Sequence, residues 1–259
     1  MVDTHCHLAL CEQADGALVA AAREAGVRRM LTVGIDATHS REAIAAAEAY
    51  PEVLACVGRH PNGATGFGDD DAAELERLAA HQRVAAVGET GLDYYRDRAP
   101  RDDQRRAFRA HIELAHRVAK PLVIHVRDGA SHTGGEALAE RFELLGAEAD
   151  GVTVVLQCFS ASAERAVEAA ERGWFCSFAG NVTYAKSEPL REAAAAVPAE
   201  LLLVETDAPF LAPQPVRGRP NEPANVVATA ERLAEVRGIT YGELEGLVEA
   251  NAQRCFGWA

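Results

Sequence analysis

Eight short apolar runs follow one another between residues 1 and 204, separated by longer Ala-, Glu- and Arg-rich stretches of helical period. The runs fall at 1–4, 29–35, 53–58, 84–88, 122–126, 152–156, 174–178 and 201–204. Each is nearly continuous in apolar residues, the pattern of a strand buried on both faces. The stretches 16–25, 40–49, 71–81, 101–119, 135–145, 163–172 and 188–197 predict crossover helices, and 225–237 and 241–255 predict two more after the last strand. Gly26, Gly146 and Gly173 stand at expected C-terminal caps, Pro51 and Pro121 where helices have stopped, and Asp102 and Arg106 are spaced for an ion pair. Strict alternation requires a parallel sheet covered by helices, and eight units in about 210 residues predict a closed (β/α)8 TIM barrel with extra C-terminal helices. An open doubly wound sheet is the alternative. No Gly-rich dinucleotide fingerprint follows the first strand, which weakens it.

Composition narrows the function classes. The net charge of -13 disfavours a broad nonspecific grip on nucleic acid, which needs a basic patch. Six cysteines without a C-x-x-C pair read as buried thiols rather than a disulfide framework or a zinc knuckle. No apolar run is long enough to cross a bilayer, and Met1-Val2 leads directly into a His-x-His motif with no room for a leader. A cytoplasmic protein without a membrane partner is expected, and nothing implies an obligate protein partner.

Barrel active sites lie at the C-terminal ends of the strands, so the residues ending each run matter most. They are His5 and His7, Asp36, His60, Glu89, His125, Gln157, Asn181, and Glu205 with Asp207. Any one of these could be an ordinary hydrogen-bonded polar residue. Together, imidazoles and carboxylates converging on one rim would desolvate and repel one another unless a cation joined them. Such donors suit Zn2+, Mn2+, Ni2+ or Fe2+ better than a hard ion such as Ca2+. Glu89 could bridge two ions roughly 4 Å apart, and Asp207 could take a proton from metal-bound water and pass it to a leaving group. Phe67, Tyr94, Tyr95 and Phe159 lie near strand ends, where core packing is the default for an aromatic ring.

The motifs "VDTHCHL", "VGRHP", "VGETGLDYYR", "QRRAF", "KPLVIHVRD", "CFSAS", "SFAGNVTY", "LLLVETDAPFL", "RPNEPANV" and "NAQRCFG", in this order, resemble the TatD family of metal-dependent hydrolases and deoxyribonucleases in the amidohydrolase superfamily. The likeness covers essentially the whole chain and implies one domain over 1–259. It implies that His5, His7 and Asp207 ligate one metal, that Glu89 bridges, and that His125 ligates a second. His60, Arg127 and Asn221 would lie near a substrate phosphate, with Glu205 beside them or behind a ligand histidine. Gln157 stands where the family normally has a second-site histidine, so the second ion should bind more weakly, through Gln157 or a water it holds. Smaller departures are Ala9, Gly129, Ser131 and Ala161; His132 is a conceivable substitute ligand.

The expected function is therefore metal-dependent hydrolysis by metal-bound hydroxide, with one or two ions (Zn, Mn, Mg, Ni or Fe) per chain. The expected substrate is DNA or a nucleotide-like phosphoester, cleaved as by a 3'-5' exonuclease. Asp207 and Glu89 are the expected catalytic residues. The alternatives are hydrolysis of another ester or amide, such as an aminoacyl-tRNA ester or a lactone, and a catalytically impaired binding protein.

Overall fold

A computed structural model describes residues 1–127 and 135–258. Eight parallel strands are ordered by sequence: β1 (Val2–Cys6), β2 (Arg29–Val33), β3 (Val53–Val57), β4 (Val84–Leu92), β5 (Leu122–Val126), β6 (Val154–Gln157), β7 (Phe175–Phe178) and β8 (Leu202–Val204). Seven helices fill the crossovers: α1 (Asp15–Glu24), α2 (Ala37–Ala49), α3 (Asp69–Ala79), α4 (Arg101–Val118), α5 (Glu136–Glu148), α6 (Ala163–Glu171) and α7 (Glu188–Ala196). Two more, α8 (Val226–Arg237) and α9 (Tyr241–Phe256), follow the last strand. The helices turn apolar stripes to the sheet, as α4 does with Phe108, Ile112 and Ala115. Among the described residues no helix is long and apolar enough to cross a membrane.

The sheet is a nearly closed barrel, which excludes the open doubly wound alternative. Between β8 and β1 the seam is short in backbone pairing: Asp207 N–H donates to the His5 carbonyl at 2.9 Å and His7 N–H to the Ala208 carbonyl at 2.8 Å. Side chains complete it. The Thr4 hydroxyl donates to the Val204 carbonyl, while the buried Asp3 carboxylate accepts from Thr206 N–H at 2.9 Å and from the Thr206 hydroxyl at 2.6 Å. Burial pushes Asp3 up to about 7 against the pull of those Thr206 donors. Asp3→Ala strips Thr206 of both acceptors, and we expect it to lower unfolding stability by about 3 kcal/mol. A smaller denaturant midpoint at unchanged m-value is the check.

Three local expectations are corrected. β4 continues past Gly88 to Leu92, because Thr90, Gly91 and Leu92 keep pairing with Ile124, His125 and Val126. At Gly88 the chain has φ +133°, and a Cβ there would meet the Val123 carbonyl oxygen at 2.4 Å, so only glycine fits. Gly146 does not cap α5, which runs on to Glu148; a side chain at Gly146 would collide with the Arg172 guanidinium. Asp102 pairs with Arg105 at 3.0 Å rather than with Arg106, which turns to Asp103, each pair at i,i+3 spacing.

One buried histidine couples α4 to the end of β3. His111 accepts the Arg59 N–H at its Nε2 (2.9 Å) and donates from Nδ1 to the Ala107 carbonyl (2.6 Å), so it is held neutral. Burial lowers it from the ordinary 6.5 to about 4. A histidine depressed on folding takes up its proton more readily when unfolded, so stability falls as pH drops from about 6.5 towards 4. The span corresponds to about 3 kcal/mol. His111→Gln should flatten that acid limb in unfolding curves measured at several pH values, and an unchanged limb would remove the assignment.

Candidate metal centre

The candidate side chains enter from β1, β4, β5, β6 and the segments that follow β3 and β8. His5 lies within β1 and His7 just past it, and the pleat turns both rings the same way. Their Nε2 atoms are 3.2 Å apart and both residues are buried. His7 Nδ1 donates to the Val33 carbonyl at 2.8 Å, which leaves the Nε2 lone pair of the neutral ring aimed into the site. Glu89 reaches between the rings, its Oε2 3.6 Å from His5 Nε2 and 3.7 Å from His7 Nε2. Its Oε1 faces His125 Nδ1 at 2.5 Å and His60 Nε2 at 3.7 Å. Asp207 Oδ1 stands 3.6 Å from His7 Nε2 and 3.9 Å from His5 Nε2. Asp207 holds φ +55°, the left-handed region that aspartate enters more readily than most non-glycine residues.

Charge is unevenly shared. Despite its burial, Glu89 is held well below the usual carboxylate range by His60 and His125. Burial opposes protonation of His125, but Glu89 and Asp93 outweigh it and raise that imidazole to about 9. His7 is likewise raised by the Asp207 and Glu89 carboxylates against burial, whereas burial lowers His5 and brings His60 down to about 4. The cluster thus carries an ionised Glu89 and imidazoles of mixed protonation.

Two sets of ligand atoms, His5–His7–Glu89 and His60–Glu89–His125, each lie within 4.8 Å of one another. They do not fit a cation equally. The first set, with Asp207, offers imidazole and carboxylate donors already converged, the mixture borderline divalent ions take. In the second, His60 Nδ1 accepts the Asn62 N–H at 3.0 Å, so its neutral ring carries a proton on Nε2 and presents a donor rather than a lone pair. His125 is held at both nitrogens, by Glu89 and by Asp93 Oδ2 at 3.3 Å. A second ion must displace that proton first.

The remaining candidates divide. Gln157 Nε2 donates to Asp207 Oδ1 at 3.2 Å, and its buried Oε1 has no partner. Arg127, at the end of β5, makes no salt bridge among the described residues, and its guanidinium lies 5.9 Å from the Tyr95 ring centre. Asn221 is not free to meet a phosphate. Its amide donates to the Thr206 and Phe210 carbonyls at 2.9 and 2.7 Å, and its oxygen accepts from Glu222 N–H and Asn225, so it shapes the loop that carries Asp207. Glu205 is wholly buried, accepts the Cys158 N–H at 2.8 Å and touches no ligand histidine; burial pushes its carboxyl well up. Asp36 caps α2 by accepting the His39 N–H. Phe67, Tyr94 and Phe159 are buried, but Tyr95 is exposed. Gly129, Ser131 and His132 lie outside the described residues. Asp93, the acid behind His125, was not anticipated, although it shares strand parity with Glu89 four residues before it.

The TatD related DNase family profile matches residues 2–257. The metal-dependent hydrolase TatD of Mycobacterium tuberculosis is 42% identical over 266 residues, covering 99% of this chain and 98% of that protein. The chain belongs to the TatD family. A 3'-5' ssDNA/RNA exonuclease TatD from Cronobacter sakazakii is 35% identical over 92% of this chain and 90% of its own length. The crystal structure of a TatD homologue from Escherichia coli superposes with a TM-score of 0.91 at 25% identity, covering 100% of this chain and 98% of that one. This TatD protein is a metal-dependent hydrolase, and the converged set around Glu89 is where a divalent ion fits.

Proposed function

We propose that this protein is a phosphodiesterase that trims single-stranded or 3'-terminal DNA, with His5, His7, Glu89 and Asp207 holding a tightly bound divalent ion. Glu89 would share a second, weaker ion with His125. The observation that carries this reading is Glu89 itself, a buried carboxylate with one oxygen facing His5 and His7 and the other facing His125. When bound, the ion supplies Lewis acidity, making water more acidic and offsetting charge on phosphoryl oxygens. Asp207 takes the proton of the attacking water at Oδ2, the oxygen not held by Gln157, and hands it to the leaving oxygen. Arg127 and the Nε2–H of His60 meet the growing negative charge on the phosphoryl group. Gln157 holds Asp207 by its amide. All six cysteines are free, four of them buried, which suits a reducing compartment, and we place the protein in the cytoplasm as one domain over 1–259.

The test is to incubate the protein with Mn2+ or Mg2+ and end-labelled single-stranded DNA, beside aryl phosphodiesters, carboxyl esters and lactones. Stepwise shortening from the 3' end is expected. A preference for carbon esters would replace the nuclease assignment with that of an esterase or lactonase.

A further inference from the structure

Three large apolar side chains are exposed among the described residues: Tyr95, Val167 and Phe210, at 48%, 45% and 53%. Val167 sits on α6, on the outside of the barrel. The other two stand at the mouth, Tyr95 three residues after β4 and Phe210 three residues after Asp207. In a ring of eight strands taken in sequence order, β4 and β8 are diametrically opposed, so the loops that carry the two rings leave the mouth from opposite sides. Exposed aromatic surface loses free energy to water, so its presence on both sides of one polar site calls for a ligand with an aromatic face.

Both rings ride on backbone that buried amides hold still. Gln104 accepts the Asp93 N–H at 2.8 Å and donates to the Ala99 carbonyl at 2.9 Å, bracketing the loop that carries Tyr95. Asp93 adds a bond from the Arg96 N–H within the same loop. On the other side, Asn221 donates to the carbonyl of Phe210 itself, whose N–H donates to the Asp207 carbonyl at 2.8 Å. The Phe210 ring stands edge-on to His7, centres 6.2 Å apart at 70°. Arg127 lies beside Tyr95, so a cation for a phosphate and a flat face for a base adjoin. Aromatic faces on braced backbone beside a cation are what stacking of successive nucleotides requires.

We propose that Tyr95 and Phe210 are base-stacking platforms that receive the two nucleobases on either side of the scissile phosphate, Tyr95 taking the base next to the phosphate that Arg127 meets. This rests on the nucleic-acid reading of the site and assigns its substrate specificity to stacking, which tolerates any base. The experiment compares two single-stranded oligonucleotides, one natural and one with abasic sugars at its last two 3' positions, by their kcat/KM with the intact protein. Wild type should prefer the natural strand by about 100-fold, and Tyr95→Ala and Phe210→Ala should each cut that preference about tenfold, chiefly through KM. Tyr95→Phe and Phe210→Tyr should restore it, and Val167→Ala, far from the mouth, should leave it as in wild type. An unchanged preference in both alanine variants, or a loss that tracks a change in oligomeric state instead, overturns the platforms while leaving the nuclease standing. Failure of wild type to cut either strand would overturn the nuclease, and the platforms with it.

Discussion

Glu89→Gln should abolish hydrolysis, lowering kcat/KM by about 1000-fold or more, and strip the protein of its tightly held ion. The substitution keeps the shape of the side chain and removes only its charge and one lone-pair-rich oxygen. Both ligand sets lose the charge of their shared member at once, since Oε2 serves His5 and His7 and Oε1 serves His125. Metal content after loading with Mn2+ or Zn2+ and gel filtration, read by mass spectrometry, is the direct check. Full occupancy in the variant would remove Glu89 from the site. A second readout is independent of metal. In chelated protein, His125 is raised to about 9 by Glu89 and Asp93, so its stabilising contribution is complete below its ordinary 6.5 and disappears as pH rises through about 9. Without Glu89 most of that contribution is gone. The chelated variant should be less stable than chelated wild type by about 2 kcal/mol at pH 6, and the gap should close near pH 9.

The fold was legible because alternation is counted along the chain, and the candidate ligands were legible because a parallel barrel puts its chemistry at strand ends. That rule marks His5, His7, Glu89, His125 and Asp207 together with Asp36, His60, Gln157, Asn181 and Glu205, and the resemblance to the TatD family singles out the first five. What escaped is set across the chain rather than along it. The apolar run at 84–88 stops at a charge, but the strand goes on, because pairing with β5 is a backbone property that Thr90 and Gly91 share with valine. The protonation pattern of His60 depends on the Asn62 N–H, and no spacing encodes it. Asn221 has the residue type of a substrate pocket, and only its partners, mostly backbone groups, show that it braces a loop instead, whereas Glu205 holds the Cys158 N–H with one oxygen and keeps the other buried without a partner. Tyr94 and Tyr95 are neighbours of one type. One donates its hydroxyl to Glu140 and is buried, the other faces solvent, and which is which depends on α5. Two signals were available and unused: Asp3 and Asp93 share strand parity with His5 and Glu89, respectively, and so had to point towards the same side of the sheet.

Asp207→Asn should lower kcat on DNA by about 1000-fold while costing less metal than Glu89→Gln does. Among the carboxylates of the cluster, Asp207 alone is partly open, its side chain 15% exposed against 3% for Glu89 and none for Asp93. A group that moves protons between water and substrate must reach both. Its other contact, the Gln157 amide, leaves the second carboxylate oxygen available for that exchange. The asparagine is isosteric and keeps His5, His7 and Glu89 in place, so the ion retains three of its donors. The decisive measurement is the dependence on leaving group. An alkoxide leaving from DNA needs a proton, whereas p-nitrophenolate does not, so the variant should lose far less activity on a p-nitrophenyl phosphodiester than on an oligonucleotide. Equal losses on the two substrates would mean that Asp207 only binds the ion, and the proton would then have to travel by another group.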